Sequence, residues 1–314
     1  MSFWTEIESK VTIVSNPTPS SENNSNEEKD FIIKDRLTSS NDNNDVMKEK
    51  NTTLNSNLDS VDVVIITAVE TEYKLACEVF GNKTSPFFFD GFKYSIVHYE
   101  INEEKIIKIA ILMQKNMGLV SAAIAATYSI KTFNPKLLLM CGVCAGVENR
   151  VDLGDIIVFS PVFDYGAGKY NDGVFLPDYR QKTLNGEIKQ IVDKMSADVE
   201  LCRRIKDSWK VNIGKPSTEL KIHIQPSGAG SAVITDKEVI EQIRNHQRTL
   251  VGIDMESFAI AEAAYETSTK EVPWLVVKGV QDYANPFKND DHREYAAHVS
   301  AVFLKEFIYE YFKD

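Results

Sequence analysis

VDVVIITAVETEYKLACEVF, residues 61–80, is the stretch that decides the fold. Its first nine residues, VDVVIITAV, form a nearly continuous run rich in β-branched side chains. A run without polar alternation reads as a central strand buried on both faces. ETEYKLACEVF follows at once, with Glu70 and Glu72 where the helix dipole favours acids in a first turn, and reads as a helix. A buried strand feeding directly into a helix is the repeating unit of an α/β sheet.

The same alternation continues toward the C-terminus. FKYSIVHYE (92–100) and KIIKIAILMQ (105–114) read as strands, and SAAIAATYSIKTF (121–133) as a small-residue helix suited to tight packing on a sheet. KLLLMCGV (136–143) and GDIIVFSPV (154–162) read as strands. GEIKQIVDKMSADVELCRRIKDSW (186–209) reads as helix in one or two pieces. LKIHIQPSG (220–228) reads as a strand, DKEVIEQIRNHQ (236–247) as a helix, and TLVGIDME (249–256) as a strand running into the helix MESFAIAEAAYE (255–266). PWLVVKGVQ (273–281) is the last buried strand, and 290–312 an amphipathic C-terminal helix. The expectation is one α/β domain over 61–314 with a largely parallel or mixed sheet.

Upstream of residue 61 the composition changes. SNPTPSSENNSNEEKD and LTSSNDNNDVMKEKNTTLNSNLDS are dominated by Ser, Asn, Thr, Asp and Glu, which cannot bury enough apolar surface to offset ordering entropy. Residues 1–60 are therefore expected to be a disordered tail. The apolar patches at Phe3–Trp4, 11–14 and 31–33 offer a docking peptide for a protein partner as the alternative.

The chain has 314 residues, 43% of them hydrophobic, ample for a large core. With 35 basic and 46 acidic residues it carries a net charge of −11, which argues against general nucleic-acid or anionic-membrane binding. No apolar run approaches the length of a membrane span, and MSFWTEIESK lacks the layout of a signal peptide. A cytoplasmic location is the expectation. Four cysteines in a chain of this length make no disulfide framework.

Three acids stand where strands meet loops or helices: Glu72, Glu256 and Asp282. Ligands of open α/β sheets bind beyond the carboxyl ends of strands, so these three could share one pocket. Each alone could equally be a helix-start or solvated acid. CGVCAGV (141–147) carries Gly142 and Gly146 between strand and turn, where small residues let backbone approach a ligand. It fits neither a GxGxxG nor a phosphate-cradling GK[ST] motif. PSGAGSAV (226–233) is a second backbone-rich turn, and DYGAGKY (164–170) presents Lys169 as a candidate anion contact or a plain loop lysine. Cys141 and Cys144 form a lone CxxC, read as small semi-apolar fillers. The five histidines show no ligand spacing, so no metal and no cofactor is expected, and no GxSxG elbow suggests a serine hydrolase.

VVIITAVETEY (63–73), CGVCAGVENRVDLGDIIV (141–158), VGIDMESFAIAEAA (251–264) and VVKGVQDYAN (276–285), in that order, resemble the nucleoside phosphorylase/nucleosidase superfamily. They look nearest to the methylthioadenosine/S-adenosylhomocysteine nucleosidase branch. SPVFDYGAGKY (160–170) and the ending 289–308 also resemble phosphorylase-like domains of bacterial effector proteins. The resemblance covers roughly 61–312 and implies a three-layer α/β/α fold around a mixed, partly barrelled sheet. It implies cleavage of the N-glycosidic bond of a purine nucleoside or nucleotide, in a homo-oligomer. By that likeness Glu72 activates the attacking water, Glu256 holds the ribose hydroxyls with Met255 beside the sugar, and Asp282 hydrogen-bonds or protonates purine N7.

Two departures from the pattern bear on mechanism. Phosphorylases of the superfamily carry a phosphate-binding arginine on the strand before the Gly-rich turn, where this chain has Cys141 and no arginine, so water is the expected nucleophile and phosphorolysis the alternative. The nucleosidase branch has serine at Cys144 and an aromatic base-stacking residue near Ser231; Phe163 and Tyr283 are the substitutes on offer. Lys169, Lys288 and Arg293 would suit a phosphorylated 5′ end. A third possibility is a nucleotide-degrading or nucleotide-sensing module gated by a partner through residues 1–60.

Overall fold

The computed structural model describes residues 61–81, 85–178, 180–286 and 288–314. The tail and docking roles expected for 1–60 lie outside these. Among the described residues, twelve strands and seven helices follow the order β1 (Val63–Thr67), α1 (Glu70–Val79), β2 (Phe87–Phe89), β3 (Phe92–Asn102), β4 (Lys105–Met113), α2 (Leu119–Phe133), β5 (Leu137–Gly146), β6 (Ile156–Asp164), β7 (Gly168–Asn171), β8 (Val174–Pro177), β9 (Gln181–Lys182), α3 (Gly186–Ser196), α4 (Val199–Ser208), β10 (Ile222–Ala229), α5 (Lys237–His246), β11 (Gly252–Asp254), α6 (Ser257–Glu266), β12 (Trp274–Asp282) and α7 (Arg293–Phe312).

The main sheet is mixed, in the order β11-β10-β6-β12-β5-β1-β4-β3-β2. Its middle is parallel, with β1 between β4 and β5 and with β12 beside β5. β12 meets β6 antiparallel, and β10 runs parallel to both β6 and β11. β11 then pairs antiparallel with β5 through Gly252–Gly146 and Ile253–Ala145. That pairing closes β5, β12, β6, β10 and β11 into a ring, which is the partly barrelled sheet that the family resemblance implied. Ring closure removes what would otherwise be an exposed edge on β11.

The strand-to-helix reading of 61–80 matches β1 and α1: Val63, Val64, Ile65 and Ile66 have no solvent exposure. Helices cover both sheet faces, giving the α/β/α layering. α2 packs on α6 on one side, while α1 and α7 pack together on the other, with α3 and α4 against α7. The stretch 186–209 is two helices because Asp198 caps the second by accepting from Leu201 N at 3.0 Å. The β7–β8 hairpin and the short strands β2 and β9 were not read from sequence; they lie at exposed or half-buried positions where no apolar run marks them.

Among the described residues, no helix is long and apolar enough to cross a membrane.

Candidate active site

β1, β5, β11 and β12 all deliver their carboxyl ends to one region. A cavity of about 400 Å³ opens there, lined by Glu72, Val143, Cys144, Met255, Glu256 and Asp282 among others. That volume is in the range of small-molecule sites.

Glu72 is buried at the third position of α1. Its Oε2 accepts from Ala68 N at 2.7 Å and Val69 N at 3.3 Å, so it satisfies two amides at the β1–α1 junction. Its Oε1 accepts from Val143 N of β5 at 3.0 Å. The carboxylate thus bridges β1 to β5. Burial lifts its pKa above the ordinary glutamate value, with Glu256 adding to the rise, against the pull of Lys278 and of the Ala68 and Val143 amides.

Glu256 stands at the start of α6. Its Oε1 accepts from Gly118 N at 2.9 Å and from Gln114 Nε2 at 3.5 Å, tying the β4–α2 loop to the β11–α6 corner. Its Oε2 lies 3.5 Å from Lys278 Nζ. Asp282, at the end of β12, receives Ala284 N on Oδ1 at 2.8 Å and Gln281 Nε2 on Oδ2 at 3.0 Å. Lys288 Nζ lies 3.4 Å from the same Oδ2, and Arg293 Nε donates to Gln281 Oε1 at 3.1 Å, which orients the Gln281 amide toward Asp282.

Two residues of this network were not singled out from sequence. Lys278 is fully buried in β12, between Glu256 and Asp254 Oδ2 at 3.3 Å. Burial alone would push its ammonium down, but Asp254, Glu256 and Glu72 together hold it above its ordinary value. Asp254 accepts from Ser257 N and, at 2.7 Å, from Ser257 Oγ. Burial raises its pKa despite Lys278. A signal was available: a single lysine in the otherwise apolar strand PWLVVKGVQ must be paired if buried, and DME supplies the acids.

The other expected residues divide. Met255 and Cys144 line the cavity. Burial pushes the Cys144 thiol well up, with Asp254 adding to it, so it stays a neutral thiol. Gly146 is two residues further along β5, paired with Gly252, with Val151 and Val280 side chains filling the space a Cβ would need. Phe163 is fully buried in a second apolar cluster with Val147, Ile240 and Ile253, outside the lining. Ser231 is exposed just after β10, although its neighbours Ala232, Val233 and Ile234 do line the cavity. Lys169 is exposed on β7, and Tyr283 turns its hydroxyl to Val151 O at 3.3 Å; neither is in the lining, whereas Lys288 and Arg293 are. Among the described residues, no cluster of His, Cys, Asp and Glu has the geometry to hold a metal ion.

Comparison with known proteins adds to this. The family model described as "Phosphorylase superfamily" matches residues 62–309. An uncharacterized protein, y4jS, of Sinorhizobium fredii is 36% identical over 190 residues, covering 59% of this chain and 45% of that protein. The ATP nucleosidase Cap17 of Escherichia coli is 23% identical over 260 residues, covering 78% of this chain and 50% of that protein. The chain thus spans about half the length of these two relatives. Among solved structures, a 5′-methylthioadenosine/S-adenosylhomocysteine nucleosidase of Neisseria meningitidis, in complex with methylthio-immucillin-A, aligns with a TM-score of 0.61. It is 18% identical, and the alignment covers 79% of this chain and 99% of that one.

Proposed function

The chain belongs to the phosphorylase superfamily, and from that membership we propose that it hydrolyses the N-glycosidic bond of an adenine nucleoside, thionucleoside or nucleotide. The observation that carries the proposal is that Glu72, Glu256 and Asp282, from the ends of three different strands, line one cavity. Glycosidic cleavage passes through an oxocarbenium-like state, and carboxylates close to C1′ stabilise its charge. In this reading Glu72, anchored by three amides, takes the proton of the attacking water. Glu256 binds the ribose hydroxyls, with Met255 beside the sugar. Asp282 protonates or hydrogen-bonds N7 as the C1′–N9 bond breaks and its electron pair leaves with the base.

Adenine is favoured because two relatives, one named for ATP and one for methylthioadenosine and adenosylhomocysteine, share an adenine nucleoside and differ at its 5′ end. Water is favoured over phosphate because β5 carries the buried thiol of Cys141, and no arginine, where a phosphate clamp would stand. The same reading carries the homo-oligomer and the cytoplasmic setting expected from sequence.

The test is chromatographic. The protein is incubated with adenosine, AMP, ATP, methylthioadenosine and adenosylhomocysteine, each with and without phosphate. Free adenine at the same rate in both conditions is expected from at least one. A phosphate-dependent rate with a ribose-1-phosphate product overturns hydrolysis, and no base release from any of the five overturns the nucleosidase assignment.

A further inference from the structure

Glu72 owes its position to more than its own helix. β1 pairs with β5 only as far as Met140 and then turns into α1, so amides of β5 beyond that point need other acceptors. Gly142 N donates to Ser300 Oγ of α7 at 3.2 Å, and the next amide, Val143 N, donates to Glu72 Oε1. Ser300 is fully buried, and its own hydroxyl proton goes to Ala297 O at 2.8 Å, which leaves an oxygen lone pair for Gly142.

The packing around this relay has no spare volume. A Cβ on Gly142 would overlap the Glu72 carboxylate, and one on Gly279 would overlap the Ala296 carbonyl of α7. Register sets Lys278 beside Gly142 and Gly279 beside Val143, so both glycines lie where α7 is pressed on the β5–β12 pair. Small residues at Ala296, Ala297, Ser300 and Ala301 allow that approach.

We infer that Ser300 is a positioning residue for Glu72: by fixing the Gly142 amide it sets the direction of the Val143 N–H, and so holds the carboxylate that faces the cavity. The inference rests on the proposed role of Glu72 for its consequence in turnover, but not for its geometry. The Val143 amide pulls the Glu72 pKa down, against burial, so loosening it has a readable sign.

The experiment uses the full chain labelled at glutamate side-chain carboxyls, with Glu72→Gln to assign the Glu72 signal. In Ser300→Ala the Glu72 midpoint is expected to move up by about half a pH unit or more. If base release is measurable, kcat is expected to fall about 3- to 10-fold with KM within about two-fold. The acid limb of the rate profile is expected to move up with the NMR midpoint. A variant that melts lower but keeps the Glu72 midpoint marks Ser300 as merely structural and overturns the inference. If Ser300→Ala does not fold, Ser300→Cys, of similar volume and a poor acceptor, takes its place; an unmoved midpoint there overturns it equally. A wild-type chain that releases no base refutes the proposed function, while the titration still decides the role of Ser300.

Discussion

Replacing Lys278 with methionine is the sharpest single perturbation of this site. The side chain is fully buried, its length is nearly matched by methionine, and its ammonium lies 3.3 Å from Asp254 and 3.5 Å from Glu256. Removing it leaves two buried carboxylates without their counter-charge and deprives Glu72 of a nearby cation. Breaking a buried ion pair on one side costs about 3–5 kcal/mol, because desolvation is still incurred and no longer offset. The same change should shift the pH dependence. Asp254 and Glu72 are already held above their ordinary values by burial, and losing Lys278 raises them further. A group with a folded pKa above its unfolded one binds more protons in the folded state over that window, so unfolding free energy falls as pH rises through it. The gap between variant and wild type is therefore widest at about pH 8 and narrows toward about pH 5, where the acids can take up protons. Urea unfolding at both pH values measures it. A variant within about 1 kcal/mol of wild type at pH 8 would refute the counter-charge role of Lys278. So would a gap of the same size at both pH values.

Other outcomes follow from the same geometry. Asp282→Asn keeps the shape of the side chain but has no proton to give, so kcat should drop on the order of 10²- to 10⁴-fold with KM within a few-fold, measured on whichever substrate releases base. An equal loss in binding would remove Asp282 as the acid. Asn185 caps α3 through Ile188 N at 2.8 Å, so Asn185→Ala should cost about 1 kcal/mol, or roughly 2–4 °C in a thermal melt, with kcat unchanged.

The fold was legible because its central strands are buried on both faces. The largely apolar runs at β1, β5 and β12 read as central strands, and the acids that follow β1 and end β12 stand where a parallel sheet collects its ligands. The hairpin β7–β8 escaped because residues 168–177 are mostly exposed and carry no periodic signal. The stacking substitutes, Phe163 and Tyr283, illustrate the limit of linear reading. Phe163 is in register with Gly228 on β10, and its ring joins the apolar cluster rather than the cavity, a distinction of face that depends on ring closure by β11.

Lys278 marks what kind of inference was missing. The sequence offers Glu72, Glu256 and Asp282 as acids that could share one pocket, each weighed against a plain helix-start or solvated acid. A cavity with Glu72, Asp254, Glu256 and Asp282 in its wall would repel itself without buried positive charge, and the strand that ends in Asp282 carries a fully buried lysine inside its apolar run. Electrostatic neutrality is a condition on the whole set and not on any residue in it. Applied to β12, it makes the buried Lys278 the partner of the acids in DME. The β11–β5 pairing serves the same condition, because Asp254, the last residue of β11, follows directly on the paired Ile253 and lies 3.3 Å from that lysine.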